Sequence, residues 1–170
     1  MTTDLRPVLF LDVDGTLLPF GGPGMRQALR RPGDADGSRP ELGLIDLRLG
    51  PALVGLACDL VWATAWMGDA NDVIAPRSGL PPLPVADLAA DLAGGEHDPS
   101  GLGWKTRSLV RAAAGRPFVW IDDEIGEMDR WWVELEHPGS ALLLQVEPAV
   151  GLTHGDVGQV AAWLDGLESR

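Results

Sequence analysis

The sequence predicts an α/β fold: a three-layer α/β/α, Rossmann-like sandwich around a central, mainly parallel sheet of five strands. Short apolar runs alternate along the chain with segments of helical pattern, which is typical of a parallel sheet covered by helices. Three of these runs end in polar or acidic residues, and in such sheets ligands bind at the carboxyl ends of the strands. The five predicted strands are residues 8–11, 60–64, 83–86, 118–121 and 141–146.

Length and composition indicate one domain spanning residues 1–170, because a chain of 170 residues can bury a full core and shows no internal repeat. The segments between predicted strands are too short for a separate cap domain. A net charge of −12 opposes a broad basic surface for duplex nucleic acid. The single cysteine, Cys58, forms no internal disulfide, and neither a signal-peptide core nor a membrane-spanning run is present. We therefore expect a cytoplasmic protein that does not contact membranes.

The first crossover is long and irregular. Residues 18–40 are rich in glycine and proline, which predicts a loop with a short helix around residues 25–30. Residues 42–49 are mildly apolar and indicate a short hairpin or an extended segment. Pro51 suits the first position of a helix that runs to about residue 58 and leads into the second strand.

The segment after the second strand is short and contains two prolines. Asp69 or Asn71 can cap a helix that we expect Pro76 to end. Pro84 lies within the third predicted strand. Because proline donates no ladder hydrogen bond, it places that strand at an edge or in an irregular position.

The second half of the chain has clearer helix signals. Residues 104–114 predict a helix closed by Gly115, and residues 127–136 predict another. Thr153 and Asp156 have the spacing of a capping box, which begins a last helix ending near residue 167.

The first strand carries the main functional signal. Its apolar run ends in Asp12 and Asp14, and Gly15 and Thr16 follow at once. Residues two apart on a strand point to the same side, so the two carboxylates repel each other unless a cation accompanies them. Mg²⁺, which takes carboxylate and phosphate oxygens, is the usual cation at such a site. A plain Asp-Gly turn is the alternative from this stretch alone.

Three further polar groups follow at the predicted carboxyl edge. Thr64 ends the second strand, and Asp122 and Asp123 follow the fourth. Lys105, the single lysine beside twelve arginines, begins the helix ahead of the fourth strand. Phosphoryl transfer requires a nucleophile, a proton donor, a metal and donors for the phosphoryl oxygens, and this set supplies the residue types.

With these residues in this order, the sequence resembles the haloacid dehalogenase (HAD) superfamily. The DxDGT motif of that superfamily is matched by residues 12–16, and its strand-end Thr or Ser by Thr64. Its helix-start lysine is matched by Lys105, and its acidic pair by Asp122 with Asp123. The resemblance implies a Mg²⁺-dependent phosphatase, because the second aspartate of DxD is absent from the dehalogenases.

The resemblance also implies a role for each matching residue. Asp12 would be the nucleophile and a Mg²⁺ ligand. Asp14 would be the general acid/base and would bind Mg²⁺ through its backbone carbonyl. Asp122 would complete the metal site, with Asp123 beside it placing waters or orienting the lysine.

The transferred phosphoryl group would be held by Thr64, by the backbone N–H of Ala65 and by Lys105. A narrower likeness joins residues 62–66 and 120–124 to small HAD-type domains associated with bacterial RNA-repair proteins. It implies a bulky phosphorylated substrate such as a polynucleotide end.

Other residues near these motifs have two interpretations each. Trp66 and Trp104 could stack on a base or pack in the core, and the core is favoured because the chain has seven tryptophans. Asp69 and Asn71 could each cap a helix or lie at the rim of the site, and the sequence favours neither role. We assign the other tryptophans, including Trp131, to packing.

Several charged residues are not expected to be functional. Glu124 is interpreted as a solvated helix start. The loop arginines Arg26, Arg30, Arg31 and Arg39 either bracket the site or are merely solvated, and solvation is favoured. His97, His137 and His154 lack the spacing of zinc ligands.

A second function class is a non-catalytic or regulatory module that binds a phosphate or a partner on the same fold. The presence of all the catalytic residue types argues against it. A two-component receiver domain is disfavoured because its acidic pair follows the first strand and its phospho-acceptor the third. The sequence leaves the oligomeric state open.

Overall fold

The computed structural model of the protein describes residues 6–29, 39–89 and 100–169. Its centre is a parallel sheet of four strands: β1 (Val8–Leu11), β2 (Asp59–Trp62), β3 (Phe118–Asp122) and β4 (Ala141–Gln145). The strand order is β2-β1-β3-β4, and every adjacent pair is parallel. The predicted α/β class with a mainly parallel sheet is confirmed.

The predicted five strands are corrected to four within the described ranges. The segment of residues 83–86 runs beside β2, but it pairs only through a single bridge between Val85 and Trp62. Trp62 donates its backbone N–H to the carbonyl of Pro84 at 2.8 Å, and Ala86 donates to the carbonyl of Trp62 at 2.8 Å. Pro84 offers no N–H of its own, so the ladder does not extend and the segment remains an edge bridge.

The first three helices of the described residues are short. They are α1 (Pro23–Leu29), α2 (Leu49–Val54) and α3 (Ala75–Ser78), and a 3-10 turn at Pro40–Leu44 precedes α2. A π-helical turn, Ala70–Ile74, runs directly into α3. Pro76 therefore does not end this helix as expected. It lies in the first turn of α3, a position at which helices tolerate proline.

The later helices match their predicted positions. They are α4 (Thr106–Ala113), α5 (Glu127–Glu136) and α6 (His154–Glu168). The capping box of α6 forms as expected, with the Thr153 hydroxyl accepting from the N–H of Asp156 at 3.2 Å. In the described part of the chain, no helix combines the length and the apolar character needed to cross a bilayer.

The two sheet faces are packed by different helices because strand residues alternate in direction. Leu9, Leu11 and Ile121 lie in one core cluster with residues of α2, α3 and α6. Phe10 and Trp120 lie in the other, with residues of α4 and α5. Helices thus cover both faces of the sheet, which gives the three layers that the sequence pattern predicts.

The strand order also fixes where a ligand can reach the sheet. From β1 the chain passes to β2 on one side, and it then returns to β3 on the other side of β1. The crossovers therefore diverge at the carboxyl ends of β1 and β3. Ligands bind at such a switch point in open α/β sheets, and here it lies between Asp12 and Asp122.

Candidate active site

Strand register brings the acidic ends of β1 and β3 together. Leu11 lies opposite Ile121 in the ladder, and Asp12 donates its backbone N–H to the carbonyl of Ile121 at 3.1 Å. Asp12 and Asp122 follow these residues, and both are buried. The expected meeting of the two acidic strand ends is therefore present in the structure.

A tight loop turns the chain sharply after Asp12. Thr16 donates its N–H to the carbonyl of Val13 at 3.0 Å, and Gly15 donates to that of Leu18 at 2.8 Å. Gly15 has a φ of +73°, and a Cβ there would lie 2.5 Å from the Asp123 carboxylate. Glycine is therefore required both by its backbone conformation and by the close approach of Asp123.

Lys105 joins the two buried strand ends. Its Nζ lies 2.7 Å from Asp12 Oδ1 and 2.6 Å from Asp122 Oδ2, and all three side chains are buried. Burial disfavours the charged ammonium, but the carboxylates of Asp12 and Asp122 outweigh it and raise the pKa of Lys105. The one lysine of the chain thus bridges residues that lie 93 and 17 positions away.

Asp12 is held in an unusual electrostatic environment. Its pKa is raised to about 7, chiefly by burial and in part by the neighbouring Asp122, whereas Lys105 opposes both effects. The Thr16 hydroxyl also donates to Asp12 Oδ2, at 3.3 Å. A second cation near Asp12 would favour its charged form.

Three carboxylates form a cluster that suits such a cation. Asp12, Asp122 and Asp123, here called the acidic triad, each offer an oxygen within 4.8 Å of the others. Burial and the proximity of Asp122 raise the pKa of Asp123 to about 6, which reflects this crowding of negative charge. Carboxylate oxygens at this density fit a hard divalent cation such as Mg²⁺. The Asp14 carboxylate lies outside the triad.

Asp14 points instead toward solvent and an aromatic partner. Its carboxylate accepts a hydrogen bond from Trp66 Nε1 at 2.9 Å, across 52 positions of sequence. The guanidinium of Arg39 lies 4.8 Å from the centre of the Trp66 ring. Trp66 therefore faces the site rather than serving only as a core residue, and Arg39 covers it.

An open cavity of about 320 Å³ lies above Asp12 and Lys105. Thr64 is fully buried beside it and accepts from the N–H of Trp66 at 3.3 Å, while the next residue, Ala65, reaches the cavity. We call it the strand-end cavity. It is lined by Asp12, Asp14, Phe20, Ala65, Trp104, Lys105, Asp123 and Glu124.

The cavity includes two residues that the sequence interpretation did not select. Phe20 is 54% exposed and lines the opening, although it lies in a glycine- and proline-rich loop. Glu124 also lines the cavity rather than only beginning a solvated helix. An aromatic residue in a loop six positions after Asp14 is the one signal that could have indicated Phe20. Trp104 also lines the cavity, with the Lys105 Nζ 5.3 Å from its ring centre, so it faces the site rather than serving only as a core residue.

Other candidates lie away from the cavity. The Asn71 amide accepts from Trp62 Nε1 at 2.7 Å and from the N–H of Leu83 at 2.8 Å, and it donates to the Leu83 carbonyl at 2.9 Å. It therefore clamps β2 to the edge segment. Asp69 is exposed and makes no side-chain cap hydrogen bond.

The remaining residues are a tryptophan assigned to packing, the histidines and the loop arginines. Trp131 is 56% exposed, so its assignment to packing is wrong. His137 is buried, and His154 lies 3.5 Å from Asp46. Arg30, Arg31 and His97 fall outside the described residues.

Comparison with known proteins bears on the resemblance. The family model described as "HAD domain in Swiss Army Knife RNA repair proteins" matches residues 8–157. A solved structure, the HAD domain of the effector protein Lem4 from Legionella pneumophila, is 11% identical, with a TM-score of 0.49 over 94% of this chain and 93% of that one. No curated protein matches the chain. Because the family model covers most of the chain, the protein belongs to the HAD superfamily, in the family of HAD domains described from Swiss Army Knife RNA repair proteins.

Proposed function

We propose that the chain is a Mg²⁺-dependent phosphoric monoester hydrolase that acts through an aspartyl-phosphate on Asp12. One observation carries the proposal: Lys105 holds Asp12 at 2.7 Å in the floor of an open cavity, and Asp14 stands exposed two residues later. A buried, oriented carboxylate can attack phosphorus, and an exposed one can exchange protons with water and substrate. Membership of a superfamily composed mainly of hydrolases supports the same reaction class.

The reaction proceeds in two displacements. A carboxylate oxygen of Asp12 attacks phosphorus, the bond from phosphorus to the leaving oxygen breaks, and Asp14 gives its proton to that oxygen. A water molecule then attacks the phosphorus of the aspartyl-phosphate, and Asp14 takes a proton from that water. The bond between phosphorus and Asp12 breaks, inorganic phosphate leaves, and both aspartates return to their starting state.

Charge compensation is divided among the residues around Asp12. Lys105 opposes the effect of burial on the pKa of Asp12 and lies where it can pair with phosphoryl oxygens. Ala65 lines the cavity, and by family resemblance its backbone N–H and the Thr64 hydroxyl would donate to the phosphoryl oxygens. The acidic triad would hold Mg²⁺, with the Asp14 backbone carbonyl as a further ligand by family resemblance. When bound, Mg²⁺ neutralises charge on the transferred phosphoryl group.

The substrate that we propose is a phosphorylated group larger than a small metabolite, such as a polynucleotide end. The strand-end cavity is open, and Phe20 and Trp104 give it apolar, aromatic lining on which a planar leaving group can lie. The net charge of −12 opposes extended contact with a nucleic-acid backbone. We therefore expect recognition to be limited to the end that carries the phosphate, with affinity that falls as salt rises.

Turnover of p-nitrophenyl phosphate with and without Mg²⁺ tests the reaction. Wild type should require Mg²⁺, and Asp12→Asn should lower the rate by at least about 10³-fold. The control is Asp165→Asn, which changes an exposed carboxylate on α6 and should behave as wild type. Equal rates for wild type and Asp12→Asn would refute the proposed nucleophile.

A substrate panel then tests the class of phosphate ester. Oligonucleotides with 5′ or 3′ phosphates should be turned over faster than sugar phosphates or mononucleotides. The reverse order contradicts the polynucleotide-end proposal but leaves the phosphatase proposal intact. No turnover across the panel, together with a partner that copurifies stably, would instead favour the non-catalytic binding module.

A further inference from the structure

A further buried carboxylate, outside the acidic triad, lies on α5. Asp129 is 2% exposed and occupies the third position of its helix. Its Oδ2 accepts from the N–H of Gly126 at 2.8 Å, and its Oδ1 accepts from the N–H of Gly103 at 2.7 Å and from the Thr106 hydroxyl at 2.5 Å. One buried side chain therefore joins three chain segments.

Two of these donors flank the catalytic lysine. Gly103 and Thr106 lie on either side of Lys105 in sequence, at the turn that begins α4. A Cβ on Gly103 would lie 2.9 Å from Asp129 Oδ1, so the carboxylate packs directly against this backbone. The turn that carries Lys105 is thus held by the same side chain from both ends.

The third donor connects this turn to the acidic triad. Gly126 is the N-cap of α5, in the connection that leaves β3 just after Asp122 and Asp123. Asp129 consequently fixes the start of α4 relative to the segment that carries two triad residues. Lys105 must be placed accurately, because it bonds Asp12 and Asp122 at once, at 2.7 and 2.6 Å.

The start of α4 has a particular need for such a partner. Lys105 is itself the N-cap residue and provides no side-chain cap hydrogen bond. A cation at a helix N-terminus is opposed by the helix dipole, whereas an anion there is favoured. A carboxylate that accepts from Gly103 and Thr106 places negative charge at this end and offsets the unfavourable position of Lys105.

We propose that Asp129 is a positioning residue for phosphoryl transfer, which sets the location of Lys105 relative to Asp12 and Asp122 without contacting the substrate. The proposal rests on the proposed function for its kinetic consequence. Its structural consequence, the placement of the Lys105 ammonium, is measurable whether or not the protein turns over phosphate esters.

The chain offers an unusually clean probe, because Lys105 is its one lysine. Protein grown with ¹³C- and ¹⁵N-labelled lysine gives a single set of side-chain signals. Asp129→Asn keeps the size of the side chain but cannot accept all three hydrogen bonds. We expect it to shift or broaden the Lys105 Cε and Nζ signals and to lower kcat by about 10²-fold with little change in KM.

A matched control exists on α6. Asp156 also occupies the third position of its helix and accepts from the N–H and hydroxyl of its N-cap, Thr153, at 2.8 and 2.7 Å. Asp156→Asn removes similar capping hydrogen bonds far from Lys105. It should lower stability without moving the lysine signals or kcat, which separates positioning from general destabilisation.

Thr106→Val provides a second variant in case Asp129→Asn does not fold. It removes one of the three donors to Asp129 and should shift the Lys105 signals in the same direction by a smaller amount. Unchanged Lys105 signals and a kcat within about twofold of wild type in folded Asp129→Asn would overturn the proposal, as would equal signal shifts in Asp156→Asn. If wild type shows no turnover, the proposed function is refuted. The Lys105 signals of the variants would then decide alone whether Asp129 positions Lys105.

Discussion

Replacing Lys105 with methionine removes the cation that joins the two buried strand ends. Lys105→Met retains much of the side-chain volume but leaves Asp12 and Asp122 close together without their shared partner, at 5% and 1% exposure. Breaking a buried ion pair by removing one partner costs about 3–5 kcal/mol. Protonation of Asp12 relieves part of this cost, so we expect a loss of about 3 kcal/mol in metal-free buffer.

The loss of stability in Lys105→Met should be smaller at low pH than at high pH. Burial and Asp122 raise the pKa of Asp12, and Lys105 is the main group that lowers it. Without Lys105 the folded-state pKa rises further above its unfolded value. A group of this kind stabilises the folded state at low pH and loses that contribution as pH rises through the folded pKa. Lys105→Met should therefore be less destabilised at pH 5 than at pH 8.

Urea unfolding in EDTA measures these changes, with Arg48→Met as the control. Arg48 pairs with Asp46 at 2.9 Å, but its side chain is 80% exposed, so its removal should lower the free energy of unfolding much less than Lys105→Met does. The double variant Asp12→Asn/Lys105→Met should lose at least about 1 kcal/mol less than the sum of the single variants. Additive losses, or a Lys105→Met protein as stable as wild type, would refute the coupling inferred from the geometry.

Three further predictions concern stability, each measured by urea unfolding. Gly15→Ala should cost about 1–3 kcal/mol and displace Asp123, because of the positive φ and the 2.5 Å approach, and a protein as stable as wild type would contradict this. Asn71→Ala should cost about 3 kcal/mol, roughly 1 for each of its three hydrogen bonds. Asp72 is an exposed residue of the same turn, so Asp72→Ala should be nearly neutral, and equal costs for the two variants would contradict the role of Asn71 in holding β2 to the edge segment. Burial lowers the pKa of His137, so its contribution to stability is complete above its unfolded pKa and is lost as pH falls. His137→Gln should accordingly weaken the loss of stability between about pH 7 and pH 5, and parallel pH curves for the two proteins would count against it.

Local sequence patterns determined the elements that carry the site. The apolar run before Asp12 predicts β1, and the Thr153–Asp156 spacing predicts the start of α6; both form. Glu127–Glu136 forms as the helix expected from residues 127–136. These features depend on neighbours within about four positions, where strand alternation, helix capping and the helical repeat act directly.

The meeting of Asp12 and Asp122 was predictable for a different reason, whereas the family resemblance placed Lys105 beside them. Parallel strands bring their carboxyl ends to one edge of the sheet, so the order of motifs along the chain is enough to predict which residues converge. The distances of 2.7 and 2.6 Å from the Lys105 ammonium to the two carboxylates came from the structure.

Only the tertiary structure decided which remaining side chains meet, because those contacts depend on the relative placement of distant segments. Trp66 donates to Asp14 across 52 positions, and Asp129 accepts from Gly103 across 26. Neither contact has a local spacing from which it could be inferred. The acidic strand end is thus a property of the sequence, whereas the partners that orient its aspartates and its lysine are a property of the fold.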